Sequence, residues 1–187
     1  MGTETSPYGL FAAESLVHIL NLNLPKNSTA VEVGVFRAYN LVKILENCNL
    51  ISKIYGVDKY EPYVDYIEVP TNTVDQEKIN RVRAGAYKEI SLSKDKDKIV
   101  LLETDSISAS KLFEDNSLDF IFLDSYLTKE DVEMDIDAWY PKLKQGGVFA
   151  GHDWEPDNQV DLAIKEFGKK NNINNISFYD MVWVWIK

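Results

Sequence analysis

Short apolar runs alternate with longer amphipathic segments along the 187-residue chain, an order that is typical of α/β domains. The short runs are bounded by polar or turn-forming residues and predict buried strands. The longer segments place their apolar residues mostly on one helical stripe. The pattern predicts strands at 30–34, 51–57, 99–102, 120–123 and 148–150, and helices at 8–22, 39–48, 75–92, 107–113, 130–143 and about 159–171.

The last two apolar runs, 176–179 and 181–186, lie too close together for a helical crossover. They predict an antiparallel pair. Gly146 and Gly147 predict a turn that leads into the strand at 148–150. The chain is therefore expected to form a mostly parallel sheet that ends with an antiparallel pair.

The sequence contains no repeat, low-complexity tract or flexible linker, so we expect one domain over 1–187. An N-terminal helix falls within 1–25, and an inserted loop and helix at 59–95 could cover a substrate. With 45% hydrophobic and 27% charged residues, the composition is that of an ordinary folded protein. Cys48 is the single cysteine, which excludes an internal disulfide and a cysteine-rich zinc site.

The formal charge of −10 would repel a polyanion, so a nucleic-acid partner is not expected. The densest lysine cluster, at 94–98, alternates with aspartates and predicts a solvated turn. No run reaches the ~18 apolar residues of a membrane span, and no leader segment is visible. These features predict a cytoplasmic protein that does not bind membranes.

Polar and acidic residues follow most of the predicted strands. An open parallel sheet binds ligands outside the carboxyl ends of its strands, where these residues fall. Buried carboxylates are costly unless they are paired, although helix capping is an alternative role for Asp and Ser. The residues at this edge are the loop around Gly34, then Asp58, Asp105 with Ser106, Asp124, and His152 with Asp153.

The loop at 32–38 separates two classes of cofactor. A dinucleotide site requires a G-x-G-x-x-G loop, whereas this loop has only Gly34, and the chain has no P-loop. A ligand without a pyrophosphate is therefore expected. Gly34 would allow a small polar group to approach, and Glu32 could hold a cation or order the loop. Asp58 is placed to accept hydrogen bonds from ribose hydroxyls.

From Glu32 onward the chain resembles class I S-adenosylmethionine-dependent methyltransferases. Within them it is similar to a small bacterial and phage group with a Gly-His-Asp-aromatic motif after the fifth strand. The resemblance implies a Rossmann-like three-layer sandwich whose seven-stranded, mostly parallel sheet has an antiparallel last strand. The matching segments are 31–38, 55–58, 104–106, 117–124, 135–147 and 150–154.

The resemblance also implies which residues hold the cofactor. Glu32 and Gly34 would lie near the methionine moiety and Asp58 near the ribose, with Asp105 and Ser106 near the adenine. Phe36, Lys59 and Asp124 complete the predicted set of cofactor contacts.

Two positions depart from the family pattern. Ala38 stands where a second glycine is usual, a change that still permits close packing. Leu127 ends a segment, 124–127, whose counterpart often ends in histidine. The absence of that histidine removes a candidate general base or a neighbour of a bound metal ion.

Methyl transfer to a hydroxyl requires removal of a proton, and two arrangements could supply it. His152 could act as a general base, or a divalent ion held by Asp124 and Asp153 could lower the pKa of the acceptor. Metal-dependent O-methyltransferases of the catechol type use acidic residues at these strand ends, so the resemblance favours Mg²⁺. The predicted catalytic residues are His152, Asp153 and Asp124.

The predicted activity is O-methylation of a small hydroxylated metabolite or sugar. A metal-dependent, oxygen-using hydroxylase on the same scaffold and a catalytically inactive cofactor-binding protein are the alternatives. Aromatic residues could line an acceptor pocket or form a packed cover, and the N-terminal helix suggests a homodimer surface. The aromatic residues are Tyr60, Tyr63, Tyr66 and Trp154.

Overall fold

A computed structural model describes residues 10–65, 72–125, 128–179 and 181–187. Its strands are β1 (Ser28–Val33), β2 (Ile51–Val57), β3 (Tyr63–Asp65), β4 (Asn72–Val74), β5 (Ile99–Leu102), β6 (Leu118–Leu123), β7 (Leu143–Gly151), β8 (Ser177–Tyr179) and β9 (Val182–Ile186). Its helices are α1 (Leu10–Asn23), α2 (Tyr39–Asn47), α3 (Gln76–Leu92), α4 (Ser106–Ser110), α5 (Lys129–Trp139) and α6 (Gln159–Asn171).

A seven-stranded sheet has the order β5-β2-β1-β6-β7-β9-β8. The first five strands in this order run parallel, whereas β9 is antiparallel to both β7 and β8. The C-terminal hairpin and the antiparallel last strand are therefore confirmed. The remaining two strands, β3 and β4, pair with each other outside the large sheet.

The sheet separates two apolar cores, which confirms the Rossmann-like three-layer sandwich. Side chains along β6 alternate between them: Phe120 and Phe122 face the core built with α1 and α2, and Ile121 faces the core built with α5 and α6. Every residue of β6 is buried. Trp183 and Trp185 fill the second core beside Phe149.

The N-terminal helix uses its apolar face within the chain. Leu16 and Leu20 of α1 are fully buried and pack in the first core, and Leu24 follows them. The homodimer stays a prediction, and this face does not support it. No helix among the described residues is long and apolar enough to cross a membrane.

Two helices differ from the predicted bounds. The helix predicted at 130–143 ends at Trp139, and a 3₁₀ turn containing Pro141 follows, because proline cannot donate the next helical hydrogen bond. The helix predicted at 107–113 spans only Ser106–Ser110.

The turn predicted at Gly146 and Gly147 was wrong, because both residues lie inside β7. Gly146 has φ +79°, and the pairing of β6 with β7 shifts register between Leu118 and Phe120. The backbone of the glycine pair bonds to Lys187 in both directions, with N–O distances of 2.9 and 3.0 Å. The hydrogen bonds with Lys187 thus continue the sheet pairing along the irregular part of β7.

Substitution of two glycines by alanine should have opposite effects on stability. A Cβ at Gly151 would overlap the indole ring of Trp183 and approach the Leu123 carbonyl. We expect Gly151→Ala to lower the free energy of unfolding by about 1–3 kcal/mol. Gly85 lies within α3, and its Cβ would meet the Arg37 side chain at an ordinary 3.6 Å. Gly85→Ala should raise the free energy of unfolding by about 0.5–1 kcal/mol. Urea unfolding measures both, and equal effects would contradict this packing.

Candidate active site

The sheet brings the predicted site residues to one edge. Glu32 lies on β1, and Gly34 directly follows that strand. Asp58 directly follows β2, and Asp124 directly follows β6. The carboxyl ends of these parallel strands meet at the same edge, which is where ligands bind in folds of this kind. His152 and Asp153 follow β7 at that edge as well.

Gly34 is required by the close approach of the loop after β6. Its φ is +89°, and a Cβ there would overlap the backbone carbonyl of Asp124. The Asp124 amide donates to Val33 O at 2.8 Å, which holds the two loops together. Gly34 thus first accommodates protein backbone, a contact that the sequence did not indicate.

Asp58 orders the loop that follows Gly34. Its Oδ2 accepts hydrogen bonds from the amides of Val35 at 3.2 Å and Phe36 at 2.9 Å. Its Oδ1 accepts one from the amide of Tyr60 at 2.9 Å. The carboxylate therefore supports the loop directly, and only its remaining lone pairs are free to accept ribose hydroxyls.

The loop backbone explains why the family pattern has a second glycine. Ala38 has φ +62° and is fully buried at the start of α2. Phe36 also has a positive φ, of +49°. A left-handed conformation costs an L-residue roughly 1–2 kcal/mol, and glycine avoids most of this cost. The Phe36 side chain is 56% exposed, and Lys59 is partly exposed.

Two of the four aromatic residues proposed for the acceptor pocket, Tyr60 and Trp154, are engaged in packing. Tyr60 is buried, and its hydroxyl donates to Phe36 O at 3.1 Å; burial raises its pKa. Trp154 stacks on Phe178, and its Nε1 donates to Asp161 at 2.9 Å. The contacts of both side chains agree with the alternative that these aromatic residues form a packed cover. The side chain of Tyr63 and the whole of Tyr66 lie outside the described residues.

Glu32 is a buried carboxylate with incomplete hydrogen bonding. It is 1% exposed, its Oε1 accepts from Asn40 Nδ2 at 3.2 Å, and its Oε2 has no partner among the described residues. Burial, followed by the negative charges of Asp124 and Asp58, raises the pKa of Glu32 well above 4.5. A cation at this position would relieve that unfavourable burial.

Asp124, His152 and Asp153 form a compact cluster. His152 Nδ1 lies 3.0 Å from Asp153 Oδ1 and 3.6 Å from Asp124 Oδ1. One potential ligand atom from each residue lies within 4.8 Å of the others. Asp153 has φ +58°, a left-handed conformation, and Asn158 Nδ2 donates to its carbonyl at 2.7 Å. The structure thus brings the three predicted catalytic residues together.

Burial and mutual charge shift the acidities of this cluster. Burial raises the pKa of Asp124 to about 6; His152 opposes the shift and Asp153 adds to it. Burial alone would lower the pKa of His152, but the hydrogen bond to Asp153 and the charge of Asp124 raise it overall. The cluster can therefore exchange a proton near neutral pH.

Asp105 and Ser106 are engaged by the protein at the start of α4. Asp105 caps the helix by accepting from the Ser108 amide at 2.8 Å, and hydrogen bonds with Ser108 lower its pKa. Ser106 is buried; its hydroxyl donates to Asp135 and accepts from Trp139 Nε1 at 2.8 Å. Asp105 thus caps a helix, which was the alternative to a ligand-binding role at this strand end. The adenine contacts of both residues stay predictions.

Sequence reasoning missed Asp135, which connects two sides of the site. Its carboxylate is 4% exposed and accepts from Ser106 and from Ser125 Oγ, the latter at 2.7 Å. Ser125 adjoins Asp124 in the chain. The available signal was an aspartate on the apolar stripe of α5, between Val132 and Trp139.

Comparison with known proteins shows the family to which the chain belongs. Residues 31–154 match the sequence profile of a family described as a methyltransferase domain, and the chain belongs to that family. The matched region extends from β1 to the aromatic residue after His152 and Asp153. No curated protein shows significant sequence similarity to the chain.

Solved structures share the fold at low sequence identity. The O-methyltransferase NovP is 16% identical, with a TM-score of 0.62 over 96% of this chain and 80% of its own. An S-adenosylmethionine-dependent O-methyltransferase from Thermotoga maritima is 16% identical, with a TM-score of 0.61 over 90% and 52%. A precorrin 8w decarboxylase from Methanobacterium thermoautotrophicum is 14% identical, with a TM-score of 0.64 over 98% and 92%. These likenesses show the fold alone.

Removal of the Asp135 carboxylate should destabilise the fold. In Asp135→Ala the hydroxyls of Ser106 and Ser125 lose their acceptor, so we expect the free energy of unfolding to fall by about 1–3 kcal/mol. Asp137 lies on the same helix but is exposed, so Asp137→Ala should change the free energy of unfolding by less than about 0.5 kcal/mol. Urea unfolding of both variants measures the difference. Similar losses in the two variants would contradict the bridging role.

Proposed function

We propose that the protein is an S-adenosylmethionine-dependent methyltransferase that methylates a hydroxyl group of a small molecule, such as a metabolite or sugar. The observation that carries this proposal is the Glu32 carboxylate, which is buried at the ligand-binding edge of the sheet and whose Oε2 has no hydrogen-bond partner in the described part of the chain. S-adenosylmethionine carries a positive sulfonium and an ammonium group. Membership in the methyltransferase-domain family supports the same activity.

The residues of the loop fit this cofactor. Glu32 offers a desolvated negative charge to the cationic methionine portion. Asp58 keeps lone pairs for ribose hydroxyls while it orders the loop. The cofactor, when bound, supplies a methyl group that is attached to a sulfonium. Transfer of this methyl group leaves a neutral thioether. The protein therefore contributes mainly alignment and exclusion of water.

Deprotonation of the acceptor hydroxyl falls to the cluster after β6 and β7. His152 Nδ1 is bonded to Asp153, which leaves Nε2 to accept a proton. Asp124 and Asp153 could instead hold a divalent ion, for which Mg²⁺ is the ion that the family resemblance favours. Both arrangements place the acceptor hydroxyl beside His152. The charge of −10 supports an acceptor that is not a polyanion.

A second candidate function is favoured by the imidazole that lies beside two carboxylates. Iron(II) oxygenases typically hold their metal with two histidines and one carboxylate and keep open positions. This cluster offers the same kinds of ligand in the opposite ratio. Such an enzyme would consume oxygen in the presence of Fe²⁺ and would transfer no methyl group. Oxygen-electrode measurements alongside the transfer assay separate the two functions.

Calorimetric titration with S-adenosylmethionine and with its demethylated product tests cofactor binding. We expect both to bind the wild-type protein, and Asp58→Ala to bind at least about tenfold more weakly, because hydrogen bonds to a charged group contribute about 1.5–3 kcal/mol. Asp58→Asn tests the loop separately, since one amide oxygen can still accept from the loop amides. Asp137→Ala is the matched control. Absence of binding to the wild-type protein would overturn the proposal.

Incubation with methyl-labelled cofactor and a pool of hydroxylated metabolites tests the transfer itself. We expect a labelled product that depends on Asp153, while Asp137→Ala retains the activity. Absence of labelled product with and without added divalent ions would contradict methyl transfer. Cofactor binding without turnover would instead support the inactive alternative.

The stability of a Glu32 variant should depend on pH. The pKa of Glu32 is raised above 4.5 in the folded chain, so folding loses stability as the pH rises from 4.5 through the folded pKa. Glu32→Gln removes this ionisation. We expect it to unfold at a higher urea concentration than wild type at about pH 8, with a smaller difference toward pH 4.5. The same variant should bind the cofactor at least about tenfold more weakly.

Glu61→Gln is the matched control for this prediction, because Glu61 is exposed. Its free energy of unfolding should stay within about 0.5 kcal/mol of that of wild type, as is usual for an exposed substitution. A Glu32→Gln protein that is less stable than wild type across the range would show that the carboxylate is favourably bound in the folded chain.

A further inference from the structure

The cluster after β6 and β7 combines one imidazole with two carboxylates. We propose that His152 is a metal ligand together with Asp124 and Asp153, and that the site selects a divalent transition-metal ion of the Fe²⁺, Co²⁺ and Zn²⁺ class over Mg²⁺. The proposal rests on the proposed function for its place beside the acceptor. Metal binding itself can be measured without turnover.

The distances within the cluster fit a single ion. Ligand atoms at about 2.1 Å from one ion and at right angles to each other lie about 3 Å apart. His152 Nδ1 lies 3.0 Å from Asp153 Oδ1 and 3.6 Å from Asp124 Oδ1. The cavity that these residues line measures about 10 Å³, which is room for one ion or water molecule. An ion there would replace the proton that Nδ1 shares with Asp153.

The cluster also concentrates negative charge. Ligand atoms of the Asp124 and Asp153 carboxylates lie within 4.8 Å of the same imidazole. Glu32 is a further carboxylate at this edge of the sheet, and it is 1% exposed. In the described part of the chain, the salt bridges of Asp124 and Asp153 are with His152 and with no lysine or arginine. One imidazole therefore serves two carboxylates, an arrangement that favours a cation.

The identity of the ligand atoms decides the class of metal. Mg²⁺ prefers oxygen ligands and binds imidazole poorly, whereas imidazole suits iron and zinc. A set of two carboxylates alone would favour Mg²⁺. The additional nitrogen ligand of His152 shifts the preference towards Fe²⁺, Co²⁺ and Zn²⁺. A divalent ion at this site supplies a Lewis acid that lowers the pKa of a hydroxyl acceptor.

The protein backbone holds these ligands in place before any ion binds. The His152 amide donates to Leu123 O at 3.0 Å, which ties β7 to the end of β6. Asn158 holds the carbonyl of Asp153, and the Trp154 amide donates to Met181 O at 3.0 Å. Little ordering is therefore required on binding, which favours affinity.

Titration of chelator-stripped protein with Co²⁺ and Mg²⁺ tests the proposal. We expect visible ligand-field absorption on addition of Co²⁺, and at least about tenfold weaker binding of Mg²⁺ in competition. His152→Ala should weaken Co²⁺ binding about 10–100-fold, while His152→Asp should retain an ion and bind Mg²⁺ more tightly than wild type. His18, the second of two histidines, is exposed on α1, so His18→Ala should leave the titration unchanged.

The outcomes separate this inference from the proposed function. Equal or tighter binding of Mg²⁺, or Co²⁺ binding that is unchanged in His152→Ala, would overturn the inference. Absence of any bound ion would also overturn it, and would leave His152 as the general base. Calorimetry with S-adenosylmethionine on metal-free protein is independent: if the cofactor fails to bind while Co²⁺ preference persists, the proposed function fails and the metal site stands.

Discussion

The site depends on one close backbone contact, between Gly34 and the residues after β6. A side chain at Gly34 would overlap the Asp124 carbonyl, and the Asp124 amide bonds to Val33. This contact holds together the loops that follow the two central strands. Burial and the nearby charge of Asp124 together raise the pKa of the Glu32 carboxyl.

The two apolar cores make this crowding of carboxylates tolerable. Buried, like-charged groups oppose folding, whereas the aromatic and aliphatic side chains on both faces of β6 favour it. The energetic conflict is confined to the ligand edge, where strain and poor solvation are typical of functional sites. The positive φ of Asp153 belongs to the same pattern.

The fold alone does not define the chemistry. Structures of O-methyltransferases and of a decarboxylase share this architecture at 14–16% identity. The distinguishing features are side chains: the Glu32 oxygen that no described residue bonds, and the imidazole of His152 beside two carboxylates. Aromatic residues near the site, such as Trp154, support its walls through packing and hydrogen bonds.

The sequence by itself determined the seven strands of the large sheet, their mostly parallel direction and the edge at which acidic residues gather, because local periodicity and strand ends are visible in the chain. It did not indicate the pair of β3 and β4. β2 and β5 begin and end where the apolar runs do. The tertiary structure decided what these residues touch. Ser106 turns inward to Asp135, Asp58 binds loop amides, and Gly146 joins β7 by pairing with the chain end. Such partners are distant in sequence, so only the packing of the strands and helices selects them.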